Sequence, residues 1–558
     1  MGPRIAASLR AGAAATGVAA ALTVWPATAM ADDGGRGSAG SKADSSVDSH
    51  ARGPARAPRP AAAARNSVVP QVSPQRDRTV TRAAVVPPPA VVNAPTAPVP
   101  AAVAPAVPTA STIGPVAPSV GAVGPAPTAV ASDPGPIRAA VLAAQSYLYG
   151  YPLMEYQRVR QTFGTVNTFK SLTSFASPDV DPIWEAIGGG RRPNVDTFYS
   201  LAELDLSKGP VVLSVPDMGS RYFSFQLTDP YTNVANYIGS RATGPGPGKY
   251  AITWAGGPHV DVPDAQTVEV PYASMLALGR TLAGDPADQL KAIELIKQYT
   301  LTPGGGTVSP VIPIPEPGLG YLDAISAAME LNPPPAVDAP QLAAMAQIGV
   351  GPGLRVSDAH LGLLSRVAAD LAVKATAALL PLLTTLTQFT SAVQNRGWAS
   401  PDSAIGNYGT DYLLRAGVTQ AGLLANTPEE AVYKAGLLDS RLLVLGGLGF
   451  GSYTLHFAPG QEPPVDAFWS VTVYDSGGKL VANPTNRYSV SSSRPEELVR
   501  RPDGSVDIVF SPCDPADPGA NWLKVPRFGG FNAYLRMYVP GQAVLDGSWQ
   551  PPAIVHHW

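Results

Sequence analysis

The stretch RRPNVDTFYS (Arg191–Ser200) runs on through LAELDLSKGPVVLSVPD (Leu201–Asp217) to RYFSFQLTDPYTN (Arg221–Asn233), and its reading decides the fold. From Phe198 to about Tyr272 apolar and polar residues alternate. The clearest runs are Val211–Asp217, Arg221–Asp229 and Lys249–Gly256, each set between Gly/Pro turns. A period of two predicts antiparallel strands with one buried and one polar face. Short strands at close spacing favour a sandwich over a parallel sheet. The segment entering this sheet packs Arg, Asn, Asp and Tyr between apolar runs. That density predicts either a polar site or a buried hydrogen-bond network.

Upstream, Pro136–Arg160 carries helix signals. Ser132 or Asp133 can cap, Pro136 suits the first turn, and Ile137, Val141, Ala144 and Leu148 recur at helical spacing. Pro152 is expected to bend or end this helix. Downstream, Asp285 is the predicted N-cap of a helix to Gln298, with Pro286 in its first turn and Leu290, Ile293, Ile296 and Leu301 as its buried stripe. Residues 320–395 are Ala/Leu-rich. Their longest apolar run, Val367–Phe389, contains Asp370, Lys374 and Pro381, which favours a packed helix over a membrane span. After Ala431 the strand pattern returns. The fold class is mainly β with a helical middle part, and the order β, α, β predicts two β-sandwich domains joined by a helical insert or bridge.

The N-terminus differs. Arg4 and Arg10, the apolar run Ala11–Val24 and Ala29-Met30-Ala31 read as an export signal over residues 1–31. Residues 32–135 form a Pro/Ala-rich spacer. No Phe, Trp or Tyr occurs between Trp25 and Tyr147, and Pro54–Pro136 holds 19 prolines. Such a segment lacks the apolar surface to offset chain entropy, so a disordered arm is expected. The predicted units are then 136–272, a β domain with a leading helix; 273–430, mainly helical; and 431–558, a second β domain.

A net charge of −3 argues against nucleic acid as a partner. Cys513 is the sole cysteine, so no intramolecular disulfide or thiolate cluster can form, and burial of the thiol is expected. The histidines show no HExxH or paired-ligand spacing, and there is no G-x-S-x-G elbow, Walker loop or dinucleotide fingerprint. No metal and no cofactor are expected. His259 and His456 are isolated candidate bases, and His556 and His557 are read as an inert tail.

Candidate chemistry gathers in four places. In the opening block, Arg192 (or Arg191) is expected to pair with Asp196, beside Asn194 and Tyr199. Such a pairing suits an anion clamp or a domain joint. Thr228–Asn233 adds Asp229 and Tyr231, and Arg241 follows in GSRATG, although turn chemistry accounts for much of that composition. Further on, PVDAFWSVTVYD and NPTNRYS combine Trp469, Tyr474, Asp475, Asn483 and Arg487, residue types that suit sugar stacking and hydroxyl recognition. Asp514, Asp517 and Asn521 could offer oxygens to Ca²⁺, although a capped turn has the same composition.

Those motifs together resemble one bacterial family. They are the RRPNVDTFYS block, RYFSFQLTDPYTNVANYIGSRATGPGPGKY, GRTLAGDPAD, NYGTDYLLRA and PPVDAFWSVTVYD, followed by NPTNRYS, NWLKVP, LRMYVP and VLDGSWQPP. The family comprises two-domain proteins in which a domain of unknown function 1254 precedes a domain of unknown function 1214. The resemblance implies an immunoglobulin-like N-terminal β-sandwich, a helical region and a jelly-roll-like C-terminal β-sandwich. It also implies export or envelope association and a homo-oligomer.

Two function classes follow. The first is a non-metallo hydrolase or lyase acting on a small molecule or glycan. Asp196 or Asp229 would be its base, and Arg192, Asn194, Tyr199, Tyr231, Arg241, Trp469 and Arg487 would be its substrate-binding groups. The second is a non-catalytic ligand- or glycan-binding module or a structural envelope protein. In both, the protein is secreted or wall-associated, with no transmembrane segment after signal cleavage.

Overall fold

A computed structural model describes residues 132–183, 192–258, 260–448 and 451–558. The expected export signal and the expected spacer up to residue 131 lie outside the described residues, as do Arg191 and His259. The described part is mainly β with a helical middle.

The first β region contains β1 (Lys170–Leu172), β2 (Thr197–Asp205), β3 (Val211–Val215), β4 (Phe223–Thr228), β5 (Val234–Gly239), β6 (Gly248–Trp254), β7 (Gln266–Val270), β8 (Ser274–Leu282) and β9 (Thr300–Thr302). They form two sheets, ordered β1-β2-β8-β4-β5 and β7-β6-β3-β9. The central strand β8 and the edge strand β9 lie beyond the expected boundary at residue 272, with the helix Pro286–Ile296 between them. Pairing is antiparallel except between β6 and β7, which run parallel.

The expected solvent-facing side of the first sheet is buried. One face of β2, β4 and β8 turns Phe198, Phe225 and Met275 into the main core. The other places Glu203, Gln226 and Arg280 under neighbouring elements, and all three are buried. Burial of these groups is tolerable because each has partners. Arg160 meets Glu203 at 2.8 Å, and Arg280 donates to Gln226 and Asn426 at 2.8 Å and to the Leu424 carbonyl at 2.7 Å.

The helices are α1 (Pro136–Gln161), α2 (Pro286–Ile296), α3 (Leu319–Leu331), α4 (Ala339–Met345), α5 (Leu363–Gln394), α6 (Tyr412–Gly422) and the single turn α7 (Gln542–Leu545). Asp285 caps α2 as expected, accepting from the amides of Ala287 and Asp288 at 2.8 Å. Two expected buried stripes are corrected, and α1 does not end at Pro152. Helix α1 continues through Pro152 to Gln161. Its buried face is Ala139, Leu142, Ala143, Tyr147 and Leu153, while Ile137 and Val141 face outward. In α2, Leu290 is exposed and Ala292 and Ile296 are buried. Small residues decide the α1 packing: Gly150 lets Ile325 of α3 lie against the helix backbone, where a Cβ would collide. Helices α1, α3 and α5 share one hydrophobic core with the first β region, so they extend that domain as well as linking it onward.

The second β region holds β10 (Trp398–Ala399), β11 (Ala431–Gly436), β12 (Gly446–Leu448), β13 (Ser452–Phe457), β14 (Val465–Asp475), β15 (Ser489–Ser491), β16 (Val506–Ser511), β17 (Ala520–Lys524), β18 (Phe528–Pro540) and β19 (Val555–His557). Its sheets are ordered β10-β11-β18-β14-β15, with β12 also on β18, and β17-β16-β13-β19. A separate core fills it, centred on Trp469, Phe457, Leu535 and Met537. The C-terminal histidines are not a loose tail: β19 pairs with β13, and the His556 ring lies 4.5 Å from that of Tyr453. Cys513, expected to be buried, is exposed in the loop after β16.

Candidate functional site

The polar block Arg192–Tyr199 is a turn leading into β2, and it sits where the two β regions meet. Arg192 adopts a left-handed backbone (φ 64°), which a non-glycine residue holds only with support. Its amide donates to the Gly478 carbonyl at 2.8 Å, and its own carbonyl accepts from Arg536 at 3.0 Å. Tyr474 donates to the Pro193 carbonyl at 2.6 Å. Asn194 closes the turn by accepting from the Asp196 amide at 2.7 Å, and its side-chain amide reaches the Tyr538 hydroxyl at 2.6 Å.

Asp196 is fully buried. Its Oδ2 accepts from the Ser470 hydroxyl at 2.6 Å and its Oδ1 from Ser489 at 3.2 Å. Ser489 in turn accepts from Arg494 at 2.6 Å, and that guanidinium stands 4.0 Å from the carboxylate. Among the described residues the cation paired with Asp196 is therefore Arg494, from the second β region. This corrects the expected Arg192–Asp196 pair. The Arg192 guanidinium instead reaches Asn532 at 3.3 Å and lies over the Tyr534 ring at 5.3 Å. The β regions thus touch directly through this block, rather than only through the helices. A recess with room for about one water is bordered by Leu172, Asn194, Thr197 and Tyr199.

Asp229 lies elsewhere. It folds its own turn, accepting from the amides of Tyr231 and Asn233 at 2.8 and 2.9 Å and from the Asn233 side chain at 3.1 Å. Burial pushes its carboxyl up to about 6. Tyr231 donates to the Asn332 carbonyl at 2.8 Å and forms one wall of a box around a buried cation, Arg415 of α6. Tyr149, Tyr231 and Tyr412 hold that guanidinium 5.2, 5.6 and 5.0 Å from their ring centres. Nε and Nη2 of Arg415 have no hydrogen-bond acceptor, so the rings take that role. Nearby, buried Asp338 accepts from the hydroxyls of Tyr149 and Tyr412 at 2.9 and 2.8 Å.

The remaining expected residues do not converge on either cluster. Arg241 pairs with Glu430 at 2.7 Å, and the Tyr222 hydroxyl donates to the other Glu430 oxygen at 2.7 Å. Trp469 is core, with its ring 5.4 Å from that of Phe457. Arg487 donates to the Glu497 carbonyl at 3.0 Å. His456 bonds Asp507 at 2.6 Å on the exposed face of its sheet. In the loop considered for Ca²⁺, Arg501 takes both Asp517 oxygens and buried Asn521 bonds backbone of residues 499 and 507. Among the described residues no His/Cys/Asp/Glu group has metal-ligand geometry.

Sequence reading missed Arg280, Asp338, Arg415 and Arg494. Arg280 and Arg415 stand in the quoted segments GRTLAGDPAD and NYGTDYLLRA, where a lone Arg among apolar residues was the available signal.

Two family models match the chain, each described as a protein of unknown function: DUF1254 over residues 167–303 and DUF1214 over residues 432–542. No curated protein matches it. The crystal structure of the VPA0106 protein from Vibrio parahaemolyticus is similar at 22% identity and TM-score 0.56, covering 75% of this chain and 100% of that one. An uncharacterized protein from Burkholderia cenocepacia aligns at 12% identity and TM-score 0.37, covering 75% of this chain and 94% of that one. Both models match in the order that the resemblance implied: a DUF1254 region is followed along this chain by a DUF1214 region.

Proposed function

We propose that the protein is exported, remains secreted or envelope-associated, and acts there as a non-catalytic structural or glycan-binding module. In this reading an immunoglobulin-like and a jelly-roll-like domain are locked into one body, and the Pro/Ala-rich spacer sets it away from the surface. The observation that supports it is the state of Asp196. This carboxylate is fully buried, and both oxygens accept hydroxyls from the opposite β region. A base must reach the proton it removes, and this one is committed to the scaffold.

The hydrolase or lyase reading keeps one favourable observation. Asp229, lifted to about 6 by burial, has the affinity of a base poised near neutral pH. One experiment separates the two readings. Wild type, Asp196→Asn and Asp229→Asn are assayed for turnover of peptidoglycan fragments and soluble β-glucans, and for thermal shift with the same compounds. The non-catalytic reading expects no turnover by wild type and the same ligand-induced shift in Asp229→Asn. Turnover that falls at least about 100-fold in Asp229→Asn, with the fold intact, would establish the enzyme instead.

A further inference from the structure

We propose that the outward face of α5 is a self-association surface, on which a second copy of this chain lays the same helix antiparallel. The helix has 32 residues and turns Ser365, Ala369, Val373 and Leu380 inward. The opposite side is not polar. Leu364, Val367, Leu371, Ala375, Ala378 and Leu382 follow one another at intervals of three or four, which places them on one stripe. Leu364 is 72% exposed, Val367 48%, Leu371 60% and Leu382 41%, and both alanines are exposed. An 18-residue window of α5 has a mean hydropathy of 1.5, apolar and long enough to cross a membrane.

Three features choose a second copy as the occupant. The first is symmetry. Counted outward from Val373, the stripe residue Leu364 mirrors Leu382 and Leu371 mirrors Ala375. An antiparallel pair with its two-fold axis at Val373 therefore sets each large side chain at the ends against another large one. Alanines nearer the centre permit close approach. Self-complementarity of this kind is what a two-fold interface requires.

The second is charge. From Ala375 to Gln394 the helix has no ionisable residue, and its polar positions there are Thr, Gln and Ser. Nearer its start, Lys374 is paired with Asp370 at 2.6 Å, and Arg366 donates to the carbonyls of Leu361 and Ser357 at 3.2 Å. A helix lying on an anionic bilayer carries Lys and Arg along its polar borders, and from Ala375 onward this one carries neither.

The third is area. A stripe of this length covers roughly 500–600 Å² per copy, or about 1,000–1,200 Å² for the pair, the lower end for a specific contact. Ile137 and Val141 of α1 are exposed as well. The start of α1 is held beside that of α5 by Asp133, which accepts from the Gly362 amide at 3.1 Å. The association is therefore weak and concentration-dependent.

Sedimentation velocity of the full chain between about 1 and 100 μM, the range such an area supports, tests this. Wild type is expected to pass from monomer to dimer. Leu371→Glu/Leu382→Glu should weaken association at least about 100-fold, and Val311→Glu, another exposed apolar position, should leave it unchanged. Register is read in a Cys513→Ser background: Leu364→Cys/Leu382→Cys should form an interchain disulfide on oxidation, and neither single cysteine should. A monomeric wild type overturns the proposal. So does cross-linking of the single cysteines, or flotation of wild type but not the Glu variant with phosphatidylcholine/phosphatidylglycerol vesicles.

Discussion

Asp196 and Arg415 are both fully buried ions, and the chain satisfies them in opposite ways. Asp196 accepts two hydroxyls from the other β region, across 274 and 293 residues of sequence, with Arg494 behind them. Arg415 has two nitrogens without an acceptor and three tyrosine faces around it. The first arrangement is directional and fails when one partner is lost. The second is soft, since ring faces hold a cation without fixing its orientation. Directional bonds sit where two domains must meet in one register, and the soft cage sits where a helix closes over a sheet.

The largest effect should come from the directional site. Asp196→Ala leaves two hydroxyls and an arginine facing a dry seam, and should cost about 3–5 kcal/mol in urea unfolding. Arg192→Ala should cost about 1 kcal/mol, because its guanidinium meets only Asn532 and a ring face. Equal losses at the two positions would erase the distinction drawn here.

Asp229 comes next, through pH. Its folded carboxyl sits at about 6 against an ordinary 3.8, so folding favours the protonated form. That stability is complete below pH 4 and is lost as pH rises to about 6, amounting to about 3 kcal/mol. Glu203 is also raised by burial and acts in the same direction, so the test is a difference between proteins. The stability of Asp229→Asn relative to wild type should rise between pH 4 and 6 and stay level above pH 7. A flat difference would place the Asp229 carboxyl at its ordinary value.

Arg415→Met keeps the bulk of the side chain and removes the cation. It should cost about 2 kcal/mol, the scale of a desolvated cation–π contact with no hydrogen bonds lost at Nε and Nη2. A loss as large as that of Asp196→Ala would mean the cage is directional after all. The smallest effect should be Arg241→Ala, about 0.5 kcal/mol. Its side chain is 30% exposed, and Glu430 keeps the Tyr222 hydroxyl.

Alternation made the strands of the first sheet legible, and Asp285-Pro286 made the start of α2 legible. What alternation could not tell was where the polar face of that sheet points. Glu203, Gln226 and Arg280 alternate as if toward water, but other elements cover them. The same limit hid the role of the RRPNVDTFYS block. Its polar density announced a network, whereas the partners Ser470, Ser489 and Arg494 are ordinary residues in a distant part of the chain. In α1 the apolar spacing of Ile137 and Val141 pointed to the wrong face, because alanine, glycine and tyrosine formed the packed one. Helix α1 also passes Pro152, since packing along its length outweighs one missing amide bond. The parallel strands β7 and β17 follow from how loops route the chain, which a period of two does not encode.

The central claim is that the RRPNVDTFYS block is a joint between two domains. A double-mutant cycle of Asp196→Ala with Ser470→Ala, followed by urea unfolding, tests it most directly. The joint predicts a coupling of at least about 1 kcal/mol, with the double variant less damaged than the sum of the singles. Additive losses below about 0.5 kcal/mol would contradict it and leave Asp196 free for another task.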